Sequence, residues 1–596
     1  MSGSSRIVCL HHLFEERAEC TPTAVAVTHS GQSVSYGTLN EWADGIACRL
    51  RQYGIKPGSP VGVIARREPA TIAAMLGILK AGGAYLAIDP GYPAEHVAHI
   101  VADARLTVVL ARKADDLTAL SPQMHVIPIK DNDTLSDSLD DNTAARTEVS
   151  PESAALVVYT SGSTGRPKGV VISHAAAVAR TLAGFKYRDG DLQKFSLSVV
   201  AHLADVFRPL VAGGTVALIP DAAFRDSAAL AEAIELHRTT RIVIVPSHLQ
   251  SLLMSGERYL QRLRTLETII VGGEPLTPEV VRLVKTRLPG VTLFNSYGLS
   301  ETSGLVAMGE VDESSAITVG FPLPGMQMYV LDENLSPVAD GQIGEVCVSG
   351  PQLATDYLHN PAATDERFVM NPVAKTGARM YRTGDAGRIV EGGALELCGR
   401  WDDQVKVRGF RVSLHEIEGI LQQHPAVDKA VVLAQPGAES TRLVAVVRLR
   451  EIPAGFADIR QFVTARAPEY MVPAIFARVA DYPYLPNGKI DRRQLAEMAA
   501  RGSLGEIDDA SAHYVAPRTQ TEQTIAGIWA NAFARQIGAL DDFFDLGGDS
   551  LLAMRILSQI EAEYGAQITF QDLLDHPTPE AISCVVDARL AQRACV

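Results

Sequence analysis

The sequence predicts an α/β fold over its first 400 residues, then a smaller α+β unit, then a wholly helical unit. Runs such as VSPESAALVVYTSGSTG and RIVIVPSHLQSLL pass from an apolar strand through a turn towards a helix. Strands that alternate with helices are typical of βαβ units with mainly parallel sheets. Further along, HEIEGILQQHPAVDKAVVLAQ and TRLVAVVRLR predict a helix followed by strands. From Thr519 onwards the apolar residues recur only at helical spacing.

These patterns divide the chain into three folded units joined by one linker. The stretch ARGSLGEIDDASAHYV is polar and small and has no sustained apolar period, which is typical of a linker. The predicted boundaries are 1–400 for a large lobe, 401–500 for a small lobe, 501–515 for the linker and 516–596 for the helical domain.

Composition excludes several classes of function. A formal net charge of −15 argues against a nucleic-acid-binding protein, which usually presents a basic face. None of the seven cysteines forms a CxxC pair, so a zinc ribbon is not expected. We find no apolar run of about 18 residues and no signal peptide, so neither a membrane span nor secretion is expected. Sparse cysteines fit the reducing cytoplasm.

The loop YTSGSTGRPKG, residues 159–169, carries the strongest chemical signal. Its backbone N–H groups and hydroxyls can surround a polyphosphate, and Lys168 supplies a positive charge. The loop does not fit the GxxxxGK[ST] pattern of a Walker A motif. On these residues alone, a flexible surface loop remains an alternative.

Six motifs in a fixed order remove most of that ambiguity. They are YTSGSTGRPKG (159–169), NSYGLSET (295–302), GEVCVSG (344–350), YRTGD (381–385), GRWDDQVKVRGFRV (399–412) and LPNGKIDRR (485–493). The set resembles the adenylate-forming superfamily, and most closely the adenylation domains of nonribosomal peptide synthetases. The later stretch DDFFDLGGDSLL resembles the attachment motif of a four-helix peptidyl carrier (thiolation) domain.

The resemblance implies two half-reactions. A substrate carboxylate attacks the α-phosphorus of ATP, which gives an acyl adenylate and pyrophosphate, and a thiol then displaces AMP. The implied cofactors are ATP, Mg²⁺ and a 4′-phosphopantetheine arm attached to Ser550. A phosphodiester on a serine that starts a helix would lie at the positive end of the helix dipole.

By the same resemblance, Lys489 is the catalytic residue, which would bridge the substrate carboxylate and the α-phosphate, and Glu301 binds Mg²⁺. Asp385 would accept the ribose hydroxyls. Asp402 is the hinge between the lobes, and Gly409 lines the path of the thiol. The implied ATP- and AMP-binding residues are Thr160, Ser161, Gly162, Ser163, Thr164, Gly165, Lys168, Gly273, Asn295, Tyr297, Thr302, Asp385, Arg400 and Lys489.

The acyl pocket departs from the family pattern. An aspartate that pairs with the substrate ammonium usually opens this segment, but ungapped alignment of VVAHLADVF places Val200 there. The implied pocket is small and aliphatic, and comprises Val200, Ala201, Ala204, Ile244, Ile270, Gly272, Ser296, Gly304 and Leu305. A buried ammonium without a partner is costly. The substrate is therefore either a small apolar amino acid such as valine, held by other groups, or an α-keto or α-hydroxy acid.

Three functions follow as hypotheses. The first is an enzyme that adenylates an amino acid and loads it on its own carrier domain for peptide assembly. The second is an acyl-CoA ligase that uses free CoA, and the third is an inactive nucleotide-sensing scaffold. The expected partners are the small acid, a phosphopantetheinyl transferase and a downstream synthetase or tailoring protein, with no nucleic acid and no membrane.

Overall fold

The structure is a computed structural model of the 596-residue chain. It describes residues 8–112, 124–130, 147–162, 166–184, 187, 190–219, 226–254, 256–313, 316–374, 377–436, 441–450, 455–484, 490–501, 504, 507–508, 515–533, 536–541, 543, 546, 550–566, 568–569, 572–573 and 576–594.

Three sheets of the large lobe contain parallel strands, and all but two of their strands come from the first 320 residues. The largest has seven strands in the spatial order Asp356–Tyr357, Lys168–Ser173, Ala154–Thr160, Ala84–Ile88, Pro60–Ile64, Val108–Ala111 and His125–Pro128. A five-stranded sheet has the order Arg241–Ile244, Thr268–Val271, Thr292–Leu299, Gly304–Glu310 and Phe321–Pro322. A four-stranded sheet has the order Gln32–Ser35, Val25–His29, Val216–Leu218 and Leu192–Gln193. Each of the three also contains antiparallel pairs.

A fourth sheet, at residues 327–400, is antiparallel throughout. Its strands are Gln327–Leu331, Gly344–Ser349, Arg379–Ile389, Phe368–Met370 and Leu395–Arg400. The α/β class with parallel and mixed sheets is confirmed, but the expectation of mainly parallel strands up to residue 400 is wrong for this region. Parallel neighbours need long crossovers, whereas short connections such as 390–394 join antiparallel strands.

Helices cover the sheets of the large lobe. They are Leu10–Cys20, Tyr36–Gln52, Pro69–Lys80, Ala94–Asp103, His174–Leu182, Arg208–Ala212, Ser227–Leu236, Pro246–Met254, Glu257–Arg262, Pro278–Arg287 and Pro361–Arg367, with a π-helix at Leu203–Phe207 and a 3₁₀ turn at Ser300–Thr302. Side chains cap several N-termini: Ser173, for example, accepts a hydrogen bond from the N–H of Ala176. The helix Pro69–Lys80 is buried on all sides and forms part of the largest core.

The small lobe begins with a hairpin, Gln404–Val407 and Phe410–Ser413. Its main sheet has the order Val427–Pro436, Thr441–Leu449, Ile475–Arg478 and Ile507–Asp508. Its helices are Leu414–Leu421, Phe456–Thr464 and Arg492–Ala500, with a 3₁₀ turn at Glu469–Met471. Cores of its own lie on both faces of the sheet.

The last unit is helical. Its described helices are Gln520–Phe533, Ser550–Tyr564 and Pro579–Ala594, which enclose a separate core around Trp529 and Phe543. The helix Ser550–Tyr564 packs against the helix Pro246–Met254 of the large lobe, and Arg258 pairs with Glu561 at 3.1 Å. None of the described helices is both long and apolar enough to cross a membrane.

Candidate active site

A cavity of about 450 Å³ opens where the large lobe faces the small lobe. Strands bring the lining together, since Thr268–Val271 leads directly into Gly272 and Gly273, and Thr292–Leu299 carries Ser296. The structure places eight of the nine expected pocket residues on this cavity: Val200, Ala201, Ala204, Ile270, Gly272, Ser296, Gly304 and Leu305.

Ile244 is the exception among the expected pocket residues. It is fully buried in a core with Leu249 and Val271, while its chain neighbours Val243 and Val245 line the cavity. Successive side chains of a strand point to opposite faces, so an ungapped alignment that is one residue out selects the wrong face. The expectation that Ile244 lines the pocket is therefore wrong.

Glu301 lies at the centre of a buried charged cluster. It follows the strand Thr292–Leu299 on a 3₁₀ turn and has no solvent exposure. The hydroxyl of Tyr357 donates to it at 2.7 Å, Lys168 Nζ lies 3.4 Å away, and Arg411 Nη1 lies 3.1 and 3.2 Å from its two oxygens. Burial opposes the ionised form, but Arg411, Lys168 and Tyr357 outweigh it and hold the pKa of Glu301 well below its usual range.

Lys168 lies over the ring of Tyr357, 3.8 Å from its centroid. Burial lowers the pKa of Lys168 to about 8, although Glu301 opposes that shift. The structure thus brings two predicted site residues, Lys168 and Glu301, beside each other although about 130 residues of chain separate them. A carboxylate held ionised fits a hard cation such as Mg²⁺, which takes few protein ligands when phosphates supply the others. No group of three or more His, Cys, Asp or Glu residues that could hold a metal occurs among the described residues.

The start of the phosphate loop touches the small lobe. Thr160 and Ser161 line the cavity, and the Ser161 hydroxyl donates to the Arg411 carbonyl oxygen. The Gly162 N–H donates to the Glu416 carboxyl at 3.3 Å, and burial raises the pKa of Glu416 to about 8. The expected phosphate-binding residues Ser163, Thr164 and Gly165 lie outside the described residues.

Asp385 and Arg400 form a second charged group. Asp385 accepts hydrogen bonds at 2.5 Å from the Tyr297 hydroxyl and from Arg400 Nη1. Arg400 also donates to both oxygens of Asp402, at 2.6 and 2.8 Å, and to Gln404 at 3.1 Å. Arg411 donates to the same Gln404 oxygen at 2.5 Å. A continuous hydrogen-bonded chain therefore runs from Asp385 past the predicted hinge to Glu301.

The remaining predicted nucleotide residues differ in their placement. Gly273 lines the cavity with φ +85° and faces Gly409, whose Cα would lie 3.6 Å from a Cβ added at Gly273. Asn295 does not line the cavity, and its side chain donates to the Thr318 carbonyl at 2.9 Å. The Thr302 hydroxyl lies within 3.0 Å of the Leu299 and Gly304 carbonyls, as part of its own turn.

The predicted catalytic lysine and the predicted attachment serine differ in how far the structure describes them. Lys489 lies outside the described residues. Ser550 is the first residue of the helix Ser550–Tyr564, so its backbone is placed, while its side chain is not among those described. The first turn of a helix presents free N–H groups and the positive end of the dipole, which suits a phosphodiester at this position.

The sequence alone assigns no role to three charged residues of the site. Arg411 and Glu416 lie in or just after the GRWDDQVKVRGFRV motif, but only the folded lobes show that they reach Glu301 and Gly162. Arg180 lines the acyl cavity from the helix His174–Leu182, some 20 residues before the pocket segment. Its apolar surroundings in HAAAVARTL were the available signal, because a lone arginine on a buried helix face is unusual.

Family models account for most of the chain. The model for AMP-binding enzymes matches residues 14–358, more than half of the sequence. The chain belongs to the AMP-binding enzyme family. The C-terminal domain model of the AMP-binding enzymes matches residues 416–489, and a phosphopantetheine attachment site matches residues 523–584.

Curated relatives of this AMP-binding enzyme are peptide synthases. It is 35% identical over 586 residues to bacitracin synthase 3 of Bacillus licheniformis, and 35% identical over 588 residues to tyrocidine synthase 3 of Brevibacillus parabrevis. These matches cover 97% and 96% of this chain, but only 9% of each relative. The chain therefore spans less than a tenth of their length.

Solved structures show the same arrangement. Holo-PA1221, an NRPS protein containing adenylation and PCP domains bound to a vinylsulfonamide inhibitor, superposes with a TM-score of 0.82 at 25% identity and covers 98% of this chain and 97% of its own. The amide bond synthetase McbA from Marinactinospora thermotolerans has a TM-score of 0.71 at 27% identity, covering 82% and 99%.

These matches confirm the family prediction. The chain combines an ATP-dependent, adenylate-forming AMP-binding enzyme with a phosphopantetheine attachment domain, and Mg²⁺ is general for the first of these families.

Proposed function

We propose that the chain activates a small apolar amino acid, of the valine type, as its adenylate and transfers it as a thioester to the phosphopantetheine arm on Ser550. The observation that supports this most is an apolar cavity lined by Arg411, which pairs with Glu301 of the buried Lys168–Glu301 cluster, in a chain that also carries an attachment domain. The cavity wall of Val200, Ala201 and Ala204 suits a short aliphatic side chain.

The roles proposed for the site residues match each charged or polar side chain with a group of ATP, Mg²⁺ or the substrate. The loop Thr160–Gly165 and Lys168 bind the phosphates, and Glu301 binds Mg²⁺. Asp385 accepts the ribose hydroxyls, because each of its oxygens retains a lone pair beyond the protein donor it already engages. Lys489 bridges the substrate carboxylate and the α-phosphate, where a preorganised cation stabilises charge that develops in the transition state.

The described orientation of the lobes suits the second half-reaction. Arg411 pairs with the Glu301 carboxylate, which is proposed to bind Mg²⁺. Glu416 accepts a hydrogen bond from the Gly162 N–H, which is proposed to bind phosphate. Both small-lobe residues would compete with Mg²⁺ and polyphosphate. Rotation about Asp402 would withdraw them and bring Lys489 to the site.

A second substrate class is an α-keto or α-hydroxy acid, with the same chemistry. Val200 lines the cavity where an ammonium partner would be expected, which favours an acid without an α-ammonium. Free CoA as the acceptor is less well supported, because the helix Ser550–Tyr564 already rests on the large lobe.

The proposed partners are a phosphopantetheinyl transferase and a downstream synthetase or tailoring protein. The proposed location is the cytoplasm, where ATP is available and the free cysteines of the described residues would stay reduced.

Intact-mass measurement of the holo protein tests the proposal. The chain is treated with a phosphopantetheinyl transferase and CoA, then with ATP, Mg²⁺ and a mixture of candidate acids. One arm and one acyl group should add to the wild type and neither to Ser550→Ala. An arm on Ser550→Ala, or no acyl gain on the wild type with any acid, would contradict it.

A further inference from the structure

Arg180 is a buried cation on the wall of the acyl cavity. It lies on the helix His174–Leu182, and only 5% of the residue is exposed. It lines the cavity together with Val200 and Gly304. A Cβ added at Gly304 would lie 3.1 Å from Arg180 Nε and 3.8 Å from Val200 Cγ1, so the guanidinium fills the space that a side chain at position 304 would take.

One nitrogen of the Arg180 guanidinium lacks an acceptor within the described part of the chain. Arg180 Nη1 is fully buried, and no hydrogen bond reaches it from the described residues. The neighbouring Arg208, in contrast, donates to the backbone carbonyls of Thr181 and Ala183 at 3.4 and 3.1 Å. A buried charged donor without an acceptor raises the free energy of the protein. A ligand that supplies the acceptor removes that cost, and the gain appears as binding free energy.

Asp205 does not fill this role. Its Oδ2 accepts the N–H groups of Lys194 and Phe195 at 3.1 and 3.2 Å. It lies close enough to favour the charged form of Arg180, but burial is the larger influence and lowers the pKa of Arg180 to about 9.

The charge at this wall is the reverse of what an ammonium requires. An α-ammonium placed beside Val200 would meet an apolar side chain and the positive Arg180, and both raise the free energy of the bound state. A carbonyl or carboxylate oxygen in the same place would accept from Nη1, and a carboxylate can accept two parallel hydrogen bonds from a guanidinium.

We propose that Arg180 is a specificity-determining residue that binds an oxygen acceptor of the substrate, other than the carboxylate that is adenylated. The cavity then selects acids that carry a carbonyl or carboxylate oxygen over α-amino acids with only an aliphatic side chain. This inference rests on the adenylation chemistry of the proposed function, and it favours the second substrate class, acids without an α-ammonium, over a valine-type amino acid.

Pyrophosphate exchange by the full chain tests it with three probes: valine, the keto analogue 3-methyl-2-oxobutanoate, and succinate as a dicarboxylic acid without an α-ammonium. In the wild type, kcat/KM for the keto acid or for succinate should exceed that for valine, and whichever is larger identifies a carbonyl or a carboxylate as the acceptor. Arg180→Leu should reduce that preference by roughly 10- to 100-fold, the size of a hydrogen bond to a charged group. Arg180→Lys, which keeps the charge, should restore part of it.

Arg208→Gln is the matched control. It removes a neighbouring cavity arginine whose donors are bound to the backbone, so it should lower exchange with all three acids alike. The double variant Val200→Asp with Arg180→Leu supplies an acceptor for an ammonium and should turn the preference towards valine.

The outcomes are distinct. Wild-type preference for valine over both other acids, or an unchanged preference in a folded Arg180→Leu variant, would overturn the role of Arg180 while leaving the adenylation proposal intact. Exchange with no acid at all would overturn both. The wild-type ranking needs no variant, so the proposal is tested even where Arg180→Leu fails to fold.

Discussion

The contact between Arg411 and Glu301 joins the small lobe to the large lobe, and Arg411→Ala removes it. Arg411 Nη1 lies 3.1 and 3.2 Å from the Glu301 oxygens, and Glu301 has no solvent exposure. Breaking a buried pair by removing one partner costs roughly 3–5 kcal/mol. Lys168 at 3.4 Å and the Tyr357 hydroxyl at 2.7 Å remain, so we expect about 2–3 kcal/mol.

The Arg411–Glu301 pair stabilises only the described orientation of the two lobes, so its loss changes the equilibrium between the two orientations. At about 1.4 kcal/mol for each factor of ten, Arg411→Ala should lower the population of the described orientation about 30- to 150-fold relative to the other. Thioester formation should slow by a similar factor in the holo protein. Pyrophosphate exchange should stay near the wild-type rate, because adenylation is proposed to use the other orientation.

The assay measures both half-reactions on one preparation. Single-turnover acyl loading is followed by intact mass, and adenylation is followed by pyrophosphate exchange. Arg408→Ala is the matched control: Arg408 lies in the turn of the hairpin that carries Arg411, but pairs with the exposed Glu469 at 3.1 Å. Exposed pairs contribute roughly 0–1 kcal/mol. Equal losses in both half-reactions, or an equal effect of Arg408→Ala, would refute the reasoning.

Three further predictions concern the same cycle. Lys489→Ala should reduce pyrophosphate exchange roughly 100- to 1000-fold without changing the melting temperature, and near-normal exchange would sink the assignment. Asp402→Pro should slow repeated loading by restricting the hinge, and an unchanged loading rate would show that the lobes turn elsewhere. Burial raises the pKa of Glu416 to about 8 in this orientation, although the Gly162 N–H favours the ionised carboxylate, so this orientation is more stable with Glu416 protonated and should lose that stability as pH rises from about 4.5 through 8. Loading measured against pH should fall over the upper part of this range in the wild type and stay flatter in Glu416→Gln.

The sequence predicts the site best where a motif lies at the end of a strand. Lys168 begins a strand of one sheet and Glu301 follows a strand of another, and the structure brings the two together because strand ends determine where such residues meet. Eight of the nine predicted pocket residues line the cavity, and Ile244 differs in strand face, which alignment without coordinates does not resolve.

Contacts between lobes are harder to predict. Arg411 and Glu416 reach Glu301 and Gly162 through the relative orientation of two bodies, and no local pattern encodes that distance. Arg180 belongs to a helix outside the pocket segment, and its importance depends on the missing side chain at Gly304. The antiparallel sheet at 327–400 is likewise not predicted by the sequence. An alternation of strands and helices along the chain does not by itself determine the direction in which neighbouring strands run.

The helix Pro246–Met254 contacts both the acyl cavity and the carrier domain. Ser247, His248 and Ser251 line the cavity, and the carrier helix Ser550–Tyr564 packs against the same helix. Any redesign of the cavity that displaces this helix would also displace the surface on which the carrier rests. A segment transplanted to change the accepted acid would therefore bring its own carrier-docking surface with it, and it would have to be matched to a carrier domain as well as to a substrate.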